Sequence, residues 1–305
     1  MKVVVPDYYA DFACLQGACR HNCCIGWEID IDDDTLNFYR TVPTPFGERL
    51  CRHISEEDVP HFVLGEGERC PFLNGDNLCD IILTLGEEAL CGICNDHPRF
   101  RNYLPDRVEM GLGLACEAAG RLILGRAEPM RLTGAEPSGS PLLQKRDALL
   151  LLLQDRSRPL AERLRLLLAE THTAPPHADM SVWADELLAL ERLDEEWTRR
   201  LQGLKERWQS LDLAAFDAVM AMRQTEYEQW AVYLLYRHFV SAETEEEQSA
   251  RAWFVVLGVM LLYYLGAVQF TQNGTFTMED QVELARLFSS EIEYSDENLA
   301  FFLEA

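Results

Sequence analysis

The chain has 305 residues, 48% of them hydrophobic and 10% aromatic, enough apolar surface for a sizeable core and too much for a disordered chain. Its 51 acidic side chains against 27 basic ones leave a net charge of −24, which disfavours nucleic acid as a partner and favours basic or lysine-bearing ones. Glycine and proline number only 31 together, so collagen-like and proline-rich chains are excluded.

The opening MKVVVPDYYADF has neither the basic start nor the apolar run of a secretory signal, and a cytoplasmic location is expected. To about residue 120 the chain is rich in Cys, Gly and Pro, with short apolar runs. IDID at 29–32 predicts a brief strand, with Asp34 or Thr35 capping the next helix. Residues 78–94 alternate helix-like stretches around a break at Gly86. A polar connector rich in proline and glycine spans 127–141 and marks the domain boundary. It separates a cysteine-rich metal- or cluster-binding domain (1–126) from an all-α domain (142–305).

Beyond the connector the period is helical. Leucines recur at i, i+3, i+4 and i+7 through 142–169, interrupted by Pro159. Further helical patterns cover 181–210, 213–240, 250–269, 278–292 and 296–304. Thr277 with Asp280 forms a capping-box pattern after the turn signal Asn273-Gly274. The glutamate run Glu243–Glu247 reads as a solvated loop or a helix start. Ala252–Val268 is 17 residues without a charge, which reads as a buried core helix; a membrane span needs about 20 apolar residues. The fold class expected is mainly α: a loop-rich N-terminal part with few short strands, then a helical bundle.

All ten cysteines lie between Cys14 and Cys116, and none falls in the last 189 residues. The spacing is Cys14-x4-Cys19-x3-Cys23-Cys24, then Cys51, Cys70, Cys79, Cys91-x2-Cys94 and Cys116. With no secretory signal, such a cluster reads as metal or iron–sulfur ligation, not disulfides. Thiolates close in sequence chelate a soft ion because short loops bring in further ligands cheaply. Zinc takes four N or S ligands, and a [4Fe-4S] cluster takes four thiolates, so the spacing leaves both open. The Cys-x3-Cys-x2-Cys motif of radical S-adenosylmethionine enzymes is absent, because Gly26 stands in its third position. Cys51, with no cysteine near it, reads as a buried thiol packed like a small hydrophobe, and Cys91 as either packed thiol or ligand. His21 and His97 stand beside cysteines, where a histidine either ligates, orients a thiolate or simply hydrogen-bonds.

The segments PDYYADFACLQGACRHNCCIGWEIDID, CPFLNGDNLCDI, LCGICNDHPRF and GLACEAAG, in that order, resemble the flagellin lysine N-methylase family. The cysteine part is also similar to a broader set of cysteine-rich proteins held to chelate zinc or iron. KRDALLLLLQDRSRPLAERL, YEQWAVYLLYRHFV and SSEIEYSDENL extend the likeness across the chain. The resemblance implies methyl transfer from S-adenosylmethionine to lysines of flagellin, or another lysine-bearing protein, with an iron–sulfur cluster on the cysteines. Its cysteines correspond to Cys14, Cys19, Cys23, Cys24, Cys70, Cys79, Cys94 and Cys116. The alternative is a non-catalytic zinc- or iron-binding protein in which the metal contributes folding energy.

Lysine methylation needs a neutral amine, although a free lysine has a pKa of about 10.4. Gly111-Leu-Gly113 reads as lacking both the flanking strand and the third glycine of a cofactor-cradling turn. Arg99, in HPRF, suits the carboxylate end of the cofactor, or else caps a backbone carbonyl. Arg237 sits with Tyr236 and His238 in an apolar helix, as a second cofactor-binding candidate or a structural ion pair. Glu291, Glu293 and Asn298 are further candidate polar groups, the two glutamates otherwise reading as a solvated helix face.

Overall fold

The computed structural model describes residues 1–134 and 138–303, and it is mainly helical. Two compact units emerge: Ala13–Phe100, and Met1–Phe12 together with the chain from Arg101 onward. This differs from a boundary at 127–141. The reason is strand pairing: β1 (Lys2–Pro6) runs parallel to β5 (Arg107–Leu112) and antiparallel to β6 (Leu132–Thr133). That pairing ties both chain ends of the cysteine-rich region, and the connector's start, into the larger unit. Residues 135–137 of the connector lie outside the described residues.

In the smaller unit, α1 (Asp33–Thr41), α2 (Pro45–Arg52), α3 (Asp80–Leu85) and α4 (Gly92–Asp96) are joined by long loops and a two-stranded ribbon, β2 (Ile54–Ser55) with β3 (His61–Phe62). The cap of α1 is Asp32, not Asp34 or Thr35: its Oδ1 accepts from the Thr35 amide at 2.9 Å. IDID forms no strand beyond an isolated bridge between Asp30 and His61, yet Ile29 and Ile31 are both buried. Gly86 ends α3 with φ 97°, a conformation that suits a residue without Cβ. The core gathers Ile29, Ile31, Tyr39, Leu50, Phe62 and Phe72 with Cys70 and Cys91.

In the larger unit, β4 (Arg99–Tyr103) joins the sheet, whose order is β4-β5-β1-β6. Helices follow: α5 (Glu117–Leu124), α6 (Pro141–Leu153), α7 (Leu160–Glu170), α8 (Met180–Ala189), α9 (Glu195–Arg207), α10 (Leu213–Met220), α11 (Gln224–His238), α12 (Glu245–Asn273), α13 (Met278–Phe288) and α14 (Asp296–Leu303). Pro159 separates α6 from α7 as the periodicity predicts. The patterns over 181–210 and 213–240 each resolve into two helices. The capping box at Thr277 is present in full, with the Asp280 amide donating to Thr277 Oγ1 at 3.2 Å and the Thr277 amide to Asp280 Oδ2 at 2.7 Å. Gly274 ends α12 in the left-handed region at φ 71°. The glutamate run starts α12, where Thr244 and Glu247 form a second capping box. By length and composition α12 could cross a membrane, but 72% of its apolar stretch is buried among the other helices. Between α13 and α14, Ser289–Glu293 forms a π-helical turn.

Candidate metal centre and buried ion network

None of the ten cysteines is in a disulfide. Nine belong to the smaller unit, and backbone and side-chain hydrogen bonds hold the loops that carry five of them. The Cys70 amide donates to the Cys24 carbonyl at 2.8 Å, and a bridge between Leu73 and Cys79 returns the chain beside it. Asp32 Oδ2 accepts from the Gly92 amide at 2.8 Å, anchoring the Cys91–Cys94 turn to the start of α1. Tyr39 Oη donates to the Ala89 carbonyl at 2.8 Å from the buried face of α1.

The outcome is a group of thiols in electrostatic reach of one another: Cys24, Cys70, Cys79, Cys91 and Cys94. Burial, and then the neighbouring thiols, push Cys70 up to about 11. Cys24 and Cys94 are pushed up by hydrogen bonds with Cys23 and Cys91, whose own pKa values are lowered by the same bonds. Burial raises Cys79. Tyr39 is raised too, chiefly by burial and then by Cys91, Cys94 and Cys79. Crowded thiols in an apolar core resist ionisation unless a cation joins them; a bound metal ion would be that cation, its binding releasing the thiol protons to solvent. Soft sulfur donors of this number suit zinc or iron–sulfur chemistry. As placed, no three His, Cys, Asp or Glu side chains among the described residues are grouped to hold a single ion.

The other predicted ligands stand apart in character. Cys14 is exposed and its sulfur accepts from the Gln16 amide at 3.3 Å; the Cys19 thiol donates to the His21 carbonyl at 3.2 Å. Cys116 occupies the position before α5 in the larger unit, with no side-chain cap bond, within electrostatic reach of Tyr294. Cys51 is exposed on α2, so it is not the buried small hydrophobe that its isolation suggested. Cys91 is fully buried inside the thiol group, and its Cys-x2-Cys spacing to Cys94 was the signal for it. His97 is held neutral, its pKa pushed to about 4 by burial and then by the charge of Arg99. Arg99 Nη1 donates to the Asn95 carbonyl at 3.2 Å, the backbone-capping role.

In the larger unit, residues that read as a solvated helix face are buried instead. Glu291 is 1% exposed and accepts from the amides of Leu193 and Asp194 at 3.0 and 2.7 Å, so it serves the start of α9. Asn298 Nδ2 donates to the Glu291 carbonyl at 2.7 Å. Glu293 accepts from Tyr233 Oη at 2.9 Å and His238 Nε2 at 2.6 Å, and pairs with Arg237 Nε at 3.4 Å. The π turn rotates both carboxylates inward, which period-3.6 reasoning places outward. Despite complete burial, Arg237 and then His238 hold Glu293 down to about 2. Arg237, whose guanidinium also lies 5.0 Å from the Tyr294 ring centroid, is therefore engaged in a buried ion pair. Tyr236 Oη donates to the Met110 carbonyl at 3.0 Å.

Gly111-Leu-Gly113 does have a strand before it and a helix after it, since Gly111 lies in β5 and α5 starts at Glu117. Cys116 occupies the place of the third glycine, as the sequence shows.

Comparison with known proteins completes the description. Residues 183–305 match the FliB lysine N-methylase C-terminal domain. A lysine-N-methylase of Salmonella typhimurium is 32% identical over 144 residues, covering 44% of this chain and 35% of that protein, and that of Salmonella choleraesuis is equally similar. The flagellar biosynthetic protein FliU of Salmonella muenchen is 31% identical over 143 residues, covering 43% of this chain and 82% of that protein. The chain belongs to the flagellin lysine N-methylase family. The match spans about a third of the length of the two lysine-N-methylases. No solved structure matches.

Proposed function

We propose that the chain is a protein-lysine N-methyltransferase that uses S-adenosylmethionine, holds a [4Fe-4S] cluster on its thiols, and acts on flagellin or a similar lysine-bearing protein in the cytoplasm. The observation that carries this reading is the convergence of Cys24, Cys70, Cys79, Cys91 and Cys94 in a chain of the lysine N-methylase family. A polynuclear cluster takes thiolates at the corners of an extended inorganic body, so thiols in mutual reach around a shared core suit it. Bound there, such a cluster offers an iron for ligation or electron transfer. The chain's own part is to supply the thiolates, with Asp32 and Tyr39 fixing the loops that carry them.

S-adenosylmethionine supplies the methyl group, and the substrate amine must lose its proton before it attacks. The net charge of −24 draws lysine-bearing segments toward the protein, more strongly at low salt. Anaerobic purification tests the cluster: a brown protein with iron and acid-labile sulfide, bleached by dithionite, is expected. Co-expression with flagellin, followed by mass spectrometry of its lysines, tests the activity. Unmethylated flagellin from a co-expression that yields the brown protein would remove the catalytic reading while leaving the cluster.

A further inference from the structure

The larger unit contains a cavity of about 600 Å³ where the α6–α7 loop meets the start of α11. Arg156, Ser157, Arg158 and Arg163 line one side, and Thr225 and Glu228 the other. Three arginines on one cavity depart from the acid surplus of the chain. Glu228, 1% exposed, fixes two of them: Arg156 Nε and Nη2 donate to it at 3.1 and 2.8 Å, and Arg163 Nη1 at 2.7 Å. Arg163 also donates to the Leu153 carbonyl, but its Nε, in a residue only 4% exposed, has no partner.

Two helices start at this cavity, and neither has a side chain capping its first amides: α7, preceded by Pro159, and α11, preceded by Arg223. Uncapped helix starts direct amide dipoles at whatever fills the space before them, and an anion satisfies them best. The nearby carboxylates are already engaged. Arg158 pairs with Asp155 and Glu162, both exposed, and Glu226 is paired with Arg223 at 2.6 Å. One buried carboxylate thus faces two buried or half-buried guanidinium groups and a third at the rim.

We propose that this cavity binds an oxyanion carried by a small molecule, either a phosphate or a carboxylate. Guanidinium groups locked by Glu228 present their remaining N–H bonds at fixed angles, which suits two-point recognition of either group. Ser157 and Thr225 add hydroxyls at the same wall. The two sources are separable. The purified full chain is titrated calorimetrically with inorganic phosphate and, separately, with L-methionine, potassium chloride holding ionic strength constant. Saturable binding of phosphate assigns the site to phosphate-bearing ligands; saturable binding of L-methionine assigns it to the amino-acid carboxylate of such a molecule. Arg158→Gln, at the rim and outside the Glu228 pairs, should weaken the bound ligand about tenfold, the size of one charge-assisted hydrogen bond, with an unchanged melting temperature. Thr225→Val is the second variant and should weaken it in the same direction. Failure of both ligands to saturate, or affinities unchanged in both variants, would overturn the proposal. Neither result bears on methylation, which the flagellin co-expression reads separately.

Discussion

Replacing Glu293 by glutamine removes one negative charge from the interior of the larger unit and leaves the shape of the side chain almost unchanged. The carboxylate is the common acceptor for Tyr233 and His238 and the counter-charge of Arg237, all of them buried or nearly so. Without it, Arg237 is a buried cation lacking its ion-pair partner, a loss worth about 3–5 kcal/mol. Acid provides an independent measure. Glu293 is depressed from 4.5 to about 2, and at about 1.36 kcal/mol per unit this corresponds to roughly 3 kcal/mol. Because its folded pKa lies below the unfolded one, that stability is present above about pH 4.5 and is lost as pH falls toward 2. His238, held below 6.5 chiefly by burial, acts in the same sense: its neutral form suits the fold, and stability declines as pH drops below 6.5. Thermal unfolding followed by circular dichroism should therefore show E293Q melting about 6–20 °C lower at pH 7, at about 2–4 °C per kcal/mol. The gap should narrow as the wild type is acidified. A variant that melts within about 2 °C of wild type at pH 7, or a gap independent of pH, would refute the reasoning.

Cys94→Ser and Cys70→Ser should each strip most iron from anaerobically purified protein, whereas Cys51→Ser, on the exposed face of α2, should retain wild-type iron; metal analysis of the three decides it. Thr277→Ala removes one half of the capping box at α13 and should cost about 1 kcal/mol in chemical denaturation. Gly47→Ala drives a Cβ into the Val42 carbonyl oxygen, a backbone clash, so it should lower the denaturation midpoint of the smaller unit by more than the cap variant lowers that of the larger one.

The helical half was legible because its signals are local. Leucine periodicity, Pro159, the capping box at Thr277 and the Asn273-Gly274 turn each act over a few residues, and each appears where the sequence puts it. Strand pairing was not legible: Val4 lies opposite Glu109 across more than a hundred residues, and no local pattern encodes that partner. The burial of Glu293 escaped for a related reason, since one extra residue per turn over Ser289–Glu293 shifts every side chain off the helical stripe. Of the thiol group, Cys24, Cys70, Cys79 and Cys94 were named from the sequence. The spacing of Cys91 to Cys94 pointed to it without deciding between packed thiol and ligand; the supporting Asp32 and Tyr39 needed the fold, because a single aspartate or tyrosine looks alike whether it holds a loop or faces water.

The placement of β1 also sets an order of events during synthesis. Its partners, Arg107–Leu112 and Leu132–Thr133, leave the ribosome some hundred residues later, so β1 waits for strands made after it. Meanwhile the intervening Ala13–Phe100, a compact unit of its own, is complete before those partners are made. On the proposed function, cluster loading falls in that interval, and iron-starved cells should accumulate chains in which β1 is still unpaired.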